Sequence, residues 1–143
     1  MRTFRFSTPG GIEVTRSISK VPFKKGLRGL LKQLDEHRGF YLSSGYEYPG
    51  RYSRWDIASV CPPLEIVSSE RRVEFRPLNA RGKALLDILL PVIEPHPHWE
   101  SVGFEHGALC GTLKPLPALF PEEERSKQPS VFSILRALIA EFR

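Results

Sequence analysis

No apolar run in this 143-residue sequence approaches the ~20 residues that a membrane-spanning helix needs, so no membrane partner is expected. The opening stretch Met1-Arg2-Thr3-Phe4-Arg5-Phe6-Ser7 alternates like a strand and lacks the apolar core of a signal peptide. The cytoplasm is therefore the expected location. There are only two cysteines, Cys61 and Cys110. They lie far apart and make no metal spacing, which predicts buried, reduced thiols in place of a disulfide, a metal centre or a catalytic thiol. A G-x-S-x-G elbow, a glycine-rich phosphate loop, a C-x-x-C pair and internal repeats are all absent. The chain thus lacks the short motifs that mark hydrolases, nucleotide-phosphate sites and dithiol redox proteins.

Charge offers as little. The formal net charge is +5, but the basic residues are dispersed, with Lys24-Lys25, Arg71-Arg72 and Arg81/Lys83 as the small clusters. Each lies beside acidic residues or at an element boundary, so no nucleic-acid partner is expected. The carboxylates Glu122-Glu123-Glu124 fall in a connector where nothing would desolvate them enough to tune a pKa. His96 and His98 would share a face of an extended segment, with His106, Glu100 or Glu105 as a third group. The intervening proline points instead to an exposed loop, and no metal is expected. On its residues alone the chain reads as a binding or regulatory domain more than a complete enzyme.

What is present is an α+β pattern: a mainly antiparallel sheet with packed helices. Ile12, Val14, Ile18 and Val21 alternate with polar residues, giving a strand with one wet face, and Pro9-Gly10-Gly11 turns into it from the first strand. Leu27, Leu30, Leu31 and Leu34 follow helical spacing, and Gly39 is placed to end that helix. Phe40–Leu42 and Trp55–Val60 read as strands, and Leu64–Val67 with Val73–Arg76 as a hairpin. Asn79 suits the N-cap of a helix carrying Ala84, Leu85, Ile88, Leu89 and Val92, which Pro91 should kink or end. Trp99–Phe104 and Ala108–Leu113 follow as two short strands. The expected organisation is a regulatory α+β domain over 1–113, a Pro/Glu-rich connector over 114–129, and a helix over 130–143 truncated at the chain end. The stripe Val131, Ile134, Leu135, Leu138 and Phe142 on that last helix predicts a packing partner outside this chain.

The densest signal is the stretch from Phe40 to Asp56, which holds all four tyrosines, Trp55, Arg51 and Arg54 around Gly45 and Pro49-Gly50. Turn residues there set rings and guanidinium groups at a sharp change of direction. Such a surface suits a flat, partly apolar ligand with an anionic group. A hairpin whose tyrosines only cover the sheet is the other reading.

The string Gly45-Tyr46-Glu47-Tyr48-Pro49-Gly50-Arg51-Tyr52-Ser53-Arg54-Trp55 resembles the N-terminal part of the anthranilate synthase component I family, in its bacterial form fused to the glutamine amidotransferase. The resemblance covers most of residues 11–95. It implies the N-terminal portion of the chorismate-utilising anthranilate synthase fold, in which the whole enzyme uses magnesium to convert chorismate and glutamine into anthranilate, pyruvate and glutamate. It further implies that this segment packs on a catalytic chorismate-binding half, works with the glutamine amidotransferase, and helps hold tryptophan as feedback inhibitor. Of the family's Leu-Leu-Glu-Ser motif this chain has Leu42-Ser43-Ser44, so Ser44 takes the serine role and Ser43 replaces the glutamate. The implied inhibitor site is Ser43, Ser44, Gly45, Arg51, Tyr52 and Ser53. No catalytic or metal-binding residue and no cofactor is implied for this chain, because the family's chorismate and magnesium motifs are absent. The related aminodeoxychorismate synthase and a stand-alone amino-acid-sensing module are the alternative readings.

Overall fold

A computed structural model describes residues 1–44, 48, 50–51, 55–117, 119 and 121–142. The fold is α+β, built from antiparallel sheets and helices. The chain divides into two compact units, Ile18–Pro62 (with Met1) and Arg2–Ser17 joined by Pro63–Arg143.

The larger unit is built on an antiparallel sheet whose β-strand Arg72–Pro77 alternates most clearly between buried and outward residues. Strands Leu64–Ser69, Arg72–Pro77, Trp99–Glu105 and Ala108–Leu113 form a four-stranded sheet. Numbering strands by chain order as β5, β6, β7 and β8, the spatial order is β5-β6-β8-β7, antiparallel throughout. On β6, Val73 and Phe75 are fully buried while Arg72, Glu74 and Arg76 point the other way. Helices Ala80–Ile93 (α2) and Val131–Glu141 (α3) supply Leu86, Leu89, Ile93, Ile134 and Leu138 to the same core, beside Trp99, Leu109 and Leu113. Asn79 caps α2 as its sequence position predicts, its Oδ1 accepting the Gly82 N–H at 3.0 Å. The Trp99 indole N–H donates to Ile93 O at 2.7 Å, tying the end of α2 to the start of β7.

Two expectations about the helices of this unit need correction. The α3 stripe finds its partner inside the chain: Ile134 and Leu138 are buried in the core shared with α2, and Phe142 is the stripe residue left 44% exposed. Of the two outcomes expected at Pro91, a kink or an end, the end does not occur: the helix runs on to Ile93. Burial of Leu89 and Ile93 outweighs the single hydrogen bond that a proline removes from a last turn. Within the Pro/Glu-rich connector, Glu122–Lys127 forms a 3-10 helix.

The same unit carries the N-terminal hairpin, Arg2–Ser7 (β1) and Glu13–Ile18 (β2). The turn is closed by Thr8 N–H to Ile12 O and by Thr8 Oγ1 accepting the Ile12 N–H. Gly11 takes φ +80°, a conformation that favours glycine. Instead of one wet face, all of this ribbon but the half-buried Val14 is exposed, including Phe4 and Phe6.

In the smaller unit, helix Phe23–Glu36 (α1) packs on a two-stranded antiparallel sheet of Gly39–Ser43 (β3) and Asp56–Val60 (β4). Gly39 does not terminate α1. His37 already leaves it in extended conformation, its N–H bonded to Gln33 O. Gly39 belongs to β3, where a Cβ would collide with Ser59 O and the Leu34 side chain.

Candidate functional site

The β3–β4 hairpin gives the aromatic stretch its geometry. Its register pairs Gly39 with Val60, Tyr41 with Ala58 and Ser43 with Asp56, so alternate residues fall on one face. The side chains of that face run toward α1, whose apolar spacing presents Phe23, Leu27 and Leu30. Between them lies an open slot of about 360 Å³ lined by Val21, Phe23, Gly26, Leu27, Leu30, Tyr41, Asp56 and Ala58. The slot is apolar apart from one edge, where the Tyr41 hydroxyl donates to Asp56 Oδ1 at 3.0 Å. That combination of greasy wall and a fixed phenol–carboxylate pair is what a small ring-bearing ligand would meet.

Ser43 stands opposite Asp56 at the open end of the ladder, and Ser44 follows it. Ser44 closes the mouth of the hairpin: its N–H donates to Trp55 O at 3.0 Å, and its Oγ accepts the Trp55 N–H at 3.2 Å. Both serines are exposed. A hydroxyl has one donor and two acceptor positions. The Ser44 oxygen is therefore in use as an acceptor, while among the described residues nothing accepts its proton. Arg51 lies in the turn, its backbone N–H bonded to Tyr48 O at 3.0 Å and its side chain exposed. Gly45, Tyr52 and Ser53, the other expected site residues, lie outside the described residues.

Sequence reasoning concentrated on the bend and missed the slot behind it. Tyr41 and Asp56 were legible only as members of an aromatic-rich stretch. The signal that would have found them is the pairing of a period-two face on β3 and β4 with the helical stripe of α1. Neither is distinctive by itself.

A second depression, of about 420 Å³, lies on the open face of the four-stranded sheet around Arg72, Glu74, Arg76, Glu105 and Cys110. Arg72 bonds Glu74 and Glu105, and Arg76 bonds Glu74 and Glu65, so these guanidinium groups are already engaged. The Arg72 and Arg76 bonds hold the Glu74 carboxyl below its ordinary range. Burial, followed by Glu105 and Glu74, pushes the Cys110 thiol up, away from the reactive thiolate. Both cysteines are free thiols; Cys110 is buried and Cys61 only half-buried. Among the described residues no three His, Cys, Asp or Glu side chains are placed to hold a metal ion, and no helix is long and apolar enough to cross a membrane.

No family model and no solved structure matches the chain. Among curated proteins it is similar to an anthranilate synthase of Azospirillum brasilense, with 38% identity over 141 residues. The alignment takes in 97% of this chain and 19% of that protein, so the chain spans about a fifth of the relative's length. The resemblance carried by the Gly45–Trp55 string therefore extends along nearly the whole chain: it is similar, end to end, to one part of an anthranilate synthase.

Proposed function

We propose that this chain is the tryptophan-responsive part of an anthranilate synthase, the lyase that makes anthranilate from chorismate and glutamine in tryptophan synthesis, and that it has no such activity by itself. The observation that carries the reading is the 38% identity to an anthranilate synthase over 97% of the chain. The β3–β4 hairpin supports the ligand assignment. Tryptophan joins a flat indole to a zwitterionic end, and the hairpin carries an apolar slot that Tyr41 and Asp56 line. Ser43, paired with Asp56, and Ser44 follow at the open end of the ladder without lining the slot, with Arg51 in the same connection. A serine hydroxyl such as that of Ser44 can donate its proton to a carboxylate, and a guanidinium such as that of Arg51 binds a carboxylate in a fork.

The rest of the assignment follows from this reading. The partners are a catalytic chorismate-binding half and a glutamine amidotransferase, and the setting is cytoplasmic. Magnesium serves the catalytic half; the described residues of this chain do not fit it, having no cluster of three acidic or imidazole side chains for a metal. Feedback then works by differential affinity: tryptophan shifts the enzyme toward whichever arrangement it binds better.

In the longest natural polypeptide that contains this chain, Ser44→Ala is expected to weaken tryptophan inhibition about tenfold, the loss of one charge-assisted hydrogen bond. Chorismate turnover without tryptophan should be nearly unchanged. The check is an inhibition curve for anthranilate formation; an inhibition constant equal to that of wild type removes Ser44 from the site.

A further inference from the structure

The turn between α2 and β7 is more constrained than a proline-spaced surface loop should be. His96 N–H donates to Ile93 O at 3.2 Å, Trp99 N–H to His96 O at 3.3 Å, and Lys114 N–H to His98 O at 2.9 Å. One bond in this set differs in kind. The backbone N–H of His98 donates to the imidazole Nδ1 of His96 at 3.3 Å, so a side-chain lone pair closes the turn. The two rings meet edge to face with centroids 4.9 Å apart, and His98 Nδ1 is buried without a partner among the described residues. Both rings are half-buried.

An Nδ1 that accepts a hydrogen bond is by necessity unprotonated, and the proton of the neutral ring then sits on Nε2. We infer that the His96-Pro97-His98 turn is a proton-sensitive latch, closed by the neutral His96 ring and opened when that ring takes up a second proton at Nδ1. Protonation exchanges an acceptor for a donor aimed at the His98 N–H, so the bond is lost and two donors face each other. The released segment is the one that joins α2 to β7 and leads directly into the buried Trp99.

The charged surroundings favour the same outcome. The titratable group set against the His96 ring is His98. Glu94 at the end of α2 and Glu100 on β7 flank the turn, and Glu100 is engaged by Arg71 Nη2. Lys114, at the end of β8, reaches the turn through its backbone N–H. Burial and then His98 hold the His96 imidazole below its ordinary value of 6.5. A cation near the C-terminus of a helix gains a little from the helix dipole, but Ile93 O already accepts both the His96 backbone N–H and the Trp99 indole N–H. The sign follows from linkage. With the folded value lowered, the stability contributed by neutral His96 is complete above pH 6.5 and is lost as the pH falls below it.

The test is thermal unfolding of the full chain at pH 7.5 and pH 5.0, for wild type and for His96→Asn. Asparagine keeps a side-chain acceptor that can close the turn onto the N–H two residues on, and it does not titrate. The wild-type midpoint should fall by about 3 °C or more beyond the fall of the variant. Equal falls overturn the latch. Nitrogen chemical shifts of the wild-type ring provide a second readout that needs no variant. They should show His96 protonated at Nε2 alone at pH 7.5, and an Nδ1-protonated ring at that pH also overturns it.

Discussion

Gly82→Ala is expected to destabilise the chain by roughly 3 kcal/mol or more, although alanine is the better helix former by ~1 kcal/mol. Gly82 lies in the first turn of α2 and is buried, with its N–H held by the Asn79 cap. A Cβ there would run into the carbonyl of Pro63 and approach Pro77 Cα to 3.2 Å. These are backbone atoms, and the Pro63 carbonyl is fixed in turn by the Leu78 N–H at 2.8 Å. Neither can swing aside as a flexible side chain would, so sterics should dominate propensity. Chemical denaturation of the two proteins decides the sign. A midpoint equal to or above wild type would mean that α2 does not approach the start of β5 this closely.

The other large effect is expected at the centre of the sheet. Phe75 has no solvent exposure, and its strand neighbours are Ile66 on β5 and Leu109 on β8. Phe75→Ala should cost ~3–5 kcal/mol, the transfer of a ring to water plus the cavity left behind. Against a total of roughly 5–15 kcal/mol for a domain, that loss approaches global unfolding. Phe104, 55% exposed on β7, provides the contrast: its alanine variant should lose under ~1 kcal/mol. If the two variants melt together, the core does not lie where α2, α3 and the sheet converge.

Much of this architecture could be read from local pattern. The alternation Arg72-Val73-Glu74-Phe75-Arg76 declares a strand with one wet face, and Asn79 before an apolar run declares a helix start. These signals are local, and the core agrees with them. The failures share a different character. Glycine commonly ends helices, so Gly39 reads as a helix stop, whereas it is required by a close approach to Ser59, twenty residues on. The α3 stripe predicts an external partner because nothing in residues 131–142 says that α2 lies alongside. The Tyr41–Asp56 pair depends on the β3–β4 register, which fixes which side chains share the α1 face. Sequence spacing inside one element cannot specify such pairs. The anthranilate synthase resemblance was legible for the opposite reason. It rests on one long contiguous string, and the similarity then extends over 97% of the chain.

The most direct measurement of the central claim is amide hydrogen exchange, with and without tryptophan, on the longest natural polypeptide that contains this chain. Tryptophan at saturation should slow exchange in the segments 41–44 and 55–58 at the mouth of the β3–β4 hairpin, and phenylalanine at the same concentration should not. Tryptophan that binds and inhibits while leaving those amides unchanged would place the regulatory site elsewhere.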